Sequence, residues 1–471
     1  MRTSFYIGIT TAVVMLAGCT VGPNYKRPQV AVPENFRAPD PLPESQGASL
    51  ADLKWFEVYR DPQLDNLIKV ALVQNYDLRD AVARVDEARA NLGITRSNQY
   101  PQVSASGDLQ FTRLSRDGQF PLPASFVPSQ NRNWGEAALN LLSFQVDLWG
   151  QLRRATEASR ANLLNADWNR KTVITAVVSQ VATDYFQLLE LDSELRISQS
   201  TLESRQESLK LTLDREVHGI ATELDVSQAE QLVDSAAESI PQLKQQIEQT
   251  EDQVSLLLGK NPESIVRERS FTQEYLVPEV PAGLPSAVLE RRPDIRAAEQ
   301  SMIAANANIG VARAAYFPQI TLTGSIGGQS STLAKLFSGP DSVWSFVPQL
   351  TQPIFTAGRL KNNMRLAVAQ RQDAQIAYEK SISTAFKDVS DALIAHQRTR
   401  ESRVEQQKLV VALAVRKRLA YRRYEGGVDT QLNALDADRD LLSAQLTLEQ
   451  IRYAELVSTV QLYNALGGGW E

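Results

Sequence analysis

The residue types that most often carry chemistry are scarce in this sequence. Its 471 residues include two histidines, His218 and His396, and one cysteine, Cys19. Zinc, haem and iron–sulfur centres need several such ligands brought together. Neither histidine has a ligand partner at helical spacing, so no metal site is expected and both read as ordinary surface residues. No catalytic triad spacing, paired-carboxylate site or phosphate-cradling glycine loop stands out. An enzyme is therefore not expected. The formal net charge of −6 gives no broad basic surface, which argues against a nucleic-acid partner.

What remains is the chemistry of Cys19. Arg2 gives the chain a positive start, and an apolar run from Phe5 to Leu16 is too short to span a membrane as a helix. It ends in Leu16-Ala17-Gly18-Cys19, which resembles a bacterial lipobox, where a cysteine thiol takes a diacylglycerol before cleavage. Residues 1–18 then read as a signal peptide, and the only non-protein group expected is a covalent lipid on Cys19, with no other cofactor. The following residue is Thr20 and not Asp, which by resemblance to bacterial lipoproteins favours the outer membrane. An ordinary signal peptide with an incidental cysteine is the alternative. Each buried acyl CH₂ contributes about 0.8 kcal/mol, so a lipidated terminus anchors firmly.

The remaining chain shows how its elements are arranged. Residues 19–62 read as an extended, proline-rich arm, after which the sequence repeats itself. Asp77–Gly107 aligns without a gap on Asp294–Gly324, with 11 of 31 columns identical. Further on the offset falls from 217 to 208, where Gly150 matches Gly358 and Gly219 matches Gly427. We therefore expect a first repeat over 63–260, a linker over 261–284 and a second repeat over 285–471. In each repeat a helical stretch (62–98, 285–315) leads into Pro101 or Pro318, and the period then drops to two. Val103 to Thr112, Leu142 to Leu148, Ile320 to Ile326 and Trp344 to Thr351 alternate apolar with polar residues, as strands with two unlike faces do. Gln151–His218 and Arg359–Glu425 contain no proline or glycine and carry heptad-like apolar spacing. As continuous helices they would run roughly 100 Å each. Each reverses at a glycine turn and returns for some 40 residues, with a kink or offset expected at Pro241.

No apolar run after residue 20 is long enough for a spanning helix. Four amphipathic strands cannot close a barrel in lipid, where an open edge leaves backbone groups unsatisfied. A barrel shared between chains would solve this, with eight strands from two copies or twelve from three. A small soluble sheet remains the alternative reading of the strands. A lipid-anchored coiled-coil scaffold remains an alternative reading of the helices.

Several stretches resemble the TolC-like outer-membrane factors, in the lipoprotein branch serving resistance-nodulation-division efflux systems. They are Thr20-Val21-Gly22-Pro23-Asn24-Tyr25, Arg291-Arg292-Pro293-Asp294, Ala304-Ala305-Asn306-Ala307-Asn308-Ile309-Gly310 and Leu466-Gly467-Gly468-Gly469-Trp470. The resemblance implies a mixed, mostly α fold. Three internally duplicated protomers would give a 12-stranded outer-membrane β-barrel continued by a 12-helix periplasmic α-barrel. It also implies the exit duct of a tripartite pump, lipid-anchored in the outer membrane and projecting into the periplasm. The partners would be a homotrimer's other copies, outer-membrane lipid, a periplasmic adaptor and an inner-membrane transporter. A protein-secretion duct is the nearer rival. By the same resemblance Leu432 and Asp436 form a periplasmic gate, while Tyr424 and Asp225 join a hydrogen-bond network at the tip. The turns at Gly219 and Gly427 would dock the adaptor. Arg439, one turn beyond Asp436, is expected to form a surface ion pair.

Overall fold

The computed structural model describes residues 20–33, 35–38, 50–59, 61–113, 115, 130–267 and 285–470. The signal segment and Cys19, part of the arm and most of the linker lie outside the described residues. In chain order the elements are α1 (Trp55–Tyr59), α2 (Pro62–Gln74), α3 (Tyr76–Ser97), β1 (Val103–Arg113), β2 (Asn131–Val146), α4 (Gln151–Val217) and α5 (Glu223–Leu257), followed by α6 (Pro285–Arg291), α7 (Pro293–Ala314), β3 (Gln319–Ser330), β4 (Ser342–Thr351), α8 (Arg359–Glu425) and α9 (Gln431–Ala465). The order α, β, β, α, α occurs twice. The return helices α5 and α9 are both 35 residues long, and α4 and α8 are both 67.

The chain forms two compact units. Of the described residues, the first draws on those within 20–28, 86–165 and 299–377 and contains the sheet, a single antiparallel meander in the order β1-β2-β3-β4. Here α4 packs on α7 through alanines (Ala158 and Ala161 against Ala304 and Ala307), which let the two backbones approach closely. The segment after Thr20 lies along the same helices. Val21 N–H donates to the Trp149 carbonyl (3.0 Å), and Asn306 Nδ2 donates to the Pro23 carbonyl (2.9 Å). Arg154 donates to Asn24 (2.8 Å), and Tyr25 O–H donates to Glu299 (3.0 Å). A Cβ on Gly22 would stand 2.5 Å from the Gly310 Cα, so this crossing needs glycine.

The second unit draws on residues 29–85, 166–298 and 378–471. Its core follows the heptads read from the sequence. Val178, Val181, Tyr185 and Leu188 of α4, with Ile382 and Val389 of α8, are almost completely buried. Asp61 caps α2 by accepting from the N–H groups of Gln63 (2.9 Å) and Leu64 (3.2 Å), and also accepts from the Tyr185 hydroxyl (3.2 Å). The predicted helix over 62–98 is two helices joined at Asn75. Its N–H caps the end of α2, its Oδ1 accepts from Leu78 N–H to start α3, and its Nδ2 donates to the Leu257 carbonyl. The repeat breaks at the equivalent place, Arg292, because the following Pro293 disfavours helical backbone before it. One further expectation changes. The arm is not wholly extended, since α1 falls within it. α5 continues as one helix on both sides of Pro241, where the carbonyl of Ala237 loses its donor in a solvent-exposed residue.

Candidate functional site

The sheet is the first part of the site. Opposed residues of antiparallel strands share a face, and the register sorts most of them by polarity. Leu109 and Phe111 of β1, Leu139 and Leu141 of β2, Ile326 of β3, and Trp344 and Phe346 of β4 lie on one face. The other face carries Ser104, Asn140, Ser325 and Ser345 in one row. Asn140 Nδ2 donates to Ser106 Oγ (2.8 Å), and the Ser325 and Ser345 hydroxyls bond to each other (2.8 Å). The apolar face lies open: Phe111 is 76% exposed and Trp344 78%. Contiguous exposure of this kind marks a surface that meets something other than water. Among the described residues no helix is long and apolar enough to cross a membrane.

Strand β2 corrects the sequence reading. It starts at Asn131, well before Leu142, and stops at Val146, which leaves Leu148 outside. The register shifts between Leu141 and Phe144, so the apolar face passes from odd residues before this bulge to even residues after it. Leu142 therefore falls in the bulge, and only Phe144 and Val146 continue the face as expected, opposite Leu322 and Ile320.

The hairpin tips are the second part. At both turns the helix closes with the same backbone motif. Ile220 N–H donates to the Arg215 carbonyl (2.8 Å) around Gly219, and Val428 N–H donates to the Arg423 carbonyl (3.0 Å) around Gly427. Both glycines have φ +72°, and nothing lies near the place a Cβ would occupy. Backbone conformation and not crowding therefore requires glycine there. Beyond the second turn, Leu432 is 53% exposed on α9, and Asp436 one turn on is held by Arg439 (3.0 Å). Arg439 thus forms the ion pair expected of it. Asp225 closes a capping box at the start of α5, accepting from the Thr222 backbone and hydroxyl (both 2.8 Å). Tyr424 lies beneath Arg215, whose guanidinium carbon is 4.6 Å from the ring centroid. That guanidinium also donates to the carbonyls of Tyr424 (3.4 Å) and Glu425 (3.1 Å). Within one chain the two predicted network members are thus engaged with different partners.

The sequence reading missed a buried polar cluster just above these turns. Asp438 of α9 accepts from Arg205 Nε of α4 (2.7 Å) and pairs with Lys417 of α8 (2.5 Å). Arg205 Nη1 donates to the Leu232 carbonyl of α5 (2.9 Å), so one ion cluster ties all four tip helices. Gln431 adds a buried bond to Thr212 Oγ1 (2.9 Å). A signal was present, since Asp438 interrupts the apolar stripe of Ala434, Leu441 and Leu448. His218 is exposed as expected. His396 is not a plain surface residue: it is half-buried against Ser458, and burial pushes its pKa down.

The model of the outer membrane efflux protein family matches residues 67–260 and 284–468. The chain belongs to this family. It is 36% identical to the "Probable efflux pump outer membrane protein TtgC" of Pseudomonas putida over 475 residues, covering 99% of this chain and 96% of that protein. It is 34% identical to the "Cation efflux system protein CusC" of Escherichia coli over 459 residues, covering 97% of each. The open-state structure of the Neisseria gonorrhoeae MtrE outer membrane channel matches with a TM-score of 0.86 at 31% identity, covering 96% of this chain and 99% of that one. As an outer membrane efflux protein, the chain uses its sheet as the membrane-facing part.

Membership also gives the four resemblance motifs a physical meaning, because in this chain they pair. The stretch after Thr20 lies on Asn306 and Gly310, as described above. The other pair meets in the second unit. Arg292 donates to Asp294 (2.6 Å), to Asp388 (3.1 Å) and to the Ala465 carbonyl (3.2 Å), while Trp470 Nε1 donates to the Arg291 carbonyl (3.2 Å). The strongest family signals are thus packing joints, not sites of chemistry.

Proposed function

We propose that three copies of this chain close one barrel and act as the exit duct of a tripartite efflux pump. The duct carries substrates from an inner-membrane transporter and periplasmic adaptor to the exterior. One observation carries this reading: a four-stranded sheet with one exposed apolar face, one polar face and, among the described residues, two unpaired edges, β1 and β4. An edge in lipid costs several kcal/mol per unsatisfied backbone group, so β4 of one copy must pair with β1 of the next. A coiled-coil scaffold has no use for such a face. In this duct the polar rows line water, Cys19 carries the lipid anchor, and the turns at Gly219 and Gly427 meet the adaptor. Leu432 and Asp436 narrow the periplasmic end, with Tyr424 and Asp225 tying neighbouring tips when copies assemble. Native mass spectrometry of detergent-extracted protein should give three chains per particle, with an acylated Cys19 at the mature N-terminus. Planar-bilayer recording of the same particle should show discrete conductance. A stable, non-conducting monomer would refute the duct.

A further inference from the structure

Away from the sheet and the tips, the second unit contains a cleft of about 600 Å³ between α4, α5 and α9. Asp184, Glu190 and Glu194 of α4 line one wall, and Gln249 and Gln253 of α5 with Gln450 of α9 line the others. The three acids are each more than nine-tenths buried. Among the described residues no group donates to the Glu190 carboxylate. Asp184 receives Gln180 on Oδ1 (2.8 Å), but its buried Oδ2 has no partner. Glu194 receives only the Gln450 amide (3.0 Å). A fourth carboxylate, Glu449 of α9, stands close enough to repel Glu190 and Glu194, and Arg452 neutralises it (2.6 Å). Tyr453 also lines the cleft, among the described residues no lysine or arginine does, and α5 contributes only amides and Thr250. Buried carboxylates without counter-charges must take up protons or a cation.

The geometry selects the kind of cation. Among the described residues no three acidic, histidine or cysteine side chains converge closely enough to hold a metal ion. The acids are instead spread along α4. Asp184 and Glu194 are ten residues apart, about 15 Å along the helix, and Glu190 and Glu194 one turn, about 6 Å. Amide side chains stand along the facing helices, Gln249 and Gln253 on α5 and Gln450 on α9. We propose that this cleft holds an extended organic polycation of the aliphatic polyamine class, its ammonium groups distributed over Asp184, Glu190 and Glu194. The proposal concerns one chain's own cleft and stands apart from the duct assembly.

Burial pushes the acids up, Asp184 to about 6 and Glu190 to about 7, the latter also through repulsion from Glu194 and Glu449. Binding must therefore strengthen as pH rises past neutrality. The test is calorimetric titration of spermidine into the full chain in detergent. At pH 8 it should bind saturably, one per chain, and at least tenfold more weakly at pH 6. Glu190→Gln with Glu194→Gln should weaken binding at pH 8 at least tenfold while helical content and oligomeric state stay unchanged. If that pair disturbs assembly, Asp184→Asn should give the same direction of loss. No saturable heat at pH 8, equal binding by the variants, or displacement of spermidine by equimolar Mg²⁺ would each overturn the proposal.

Discussion

Leu432 and Asp436 lie one helical turn apart, so they present bulk and charge to the same side of α9. In the proposed duct, three Leu432 side chains form an apolar constriction and three Asp436 carboxylates an anionic ring. The structure adds Arg439, which holds each carboxylate at 3.0 Å and offsets part of its charge. This gives two opposite expectations in planar-bilayer recordings. Leu432→Ala with Asp436→Ala should raise conductance and lower cation preference, whereas Arg439→Ala should increase cation preference. The trimer should survive both, because exposed pairs contribute ~1 kcal/mol or less. Unchanged conductance and selectivity in the double variant would place the constriction elsewhere. A further residue-scale test concerns Glu190, whose carboxyl keeps its proton to a higher pH folded than unfolded. Its contribution to stability is full below 4.5 and is lost as pH rises toward 7. In amine-free buffer the melting temperature of Glu190→Gln relative to the parent should climb by a few degrees between pH 5 and pH 8. A constant difference would show that Glu190 titrates normally.

At the scale of elements, the long helices end where their caps and turns dictate, and the tips are held by charge as much as by packing. Asp438 is the common acceptor for Arg205 and Lys417, and both it and Arg205 are almost completely buried. Removing one member of a buried ion pair costs about 3–5 kcal/mol, whereas replacing the pair with apolar groups is often neutral. Asp438→Ala should therefore speed hydrogen exchange across the start of α9, leaving β1 to β4 unchanged. Arg205→Met combined with Asp438→Leu should restore much of the protection. Equal exchange in Asp438→Ala and the parent would mean that the cluster does not hold the tip. Periodicity explains what the sequence disclosed and what it did not. The heptads and the absence of proline and glycine located α4 and α8 within a residue. The bulge in β2 was hidden, because Leu141 and Leu142 are both apolar and either parity satisfied the pattern. Asn75 was a local signal that periodicity passed over: asparagine caps helices, and a carbonyl 182 residues away holds its amide as well. The Arg205–Asp438 pair spans 233 residues and can be seen only once the helices are side by side.

For the whole molecule, closure depends on how many copies bring β4 against β1. The two edges of one chain lie three strand spacings apart, about 14 Å, well beyond the ~7 Å Cα limit of a disulfide. Any bond between them must therefore join different chains. Cys19 is the only native cysteine and, in the proposed duct, carries lipid, so introduced thiols have no competitor. Ser106→Cys on β1 can be combined in turn with Ser345→Cys, Val347→Cys and Gln349→Cys on β4, all on the face opposite Phe111 and Trp344. Mild oxidation of membranes should produce a disulfide in the pair that matches the intermolecular register. Non-reducing gels should then show two-chain and three-chain species and nothing larger, because a ring of three has no free edge left. A ladder that stops at two chains would indicate an eight-stranded barrel. An unlimited ladder would mean that the edges pair without closing, and the absence of any cross-link in all three pairings would remove strand-to-strand closure as the basis of the duct.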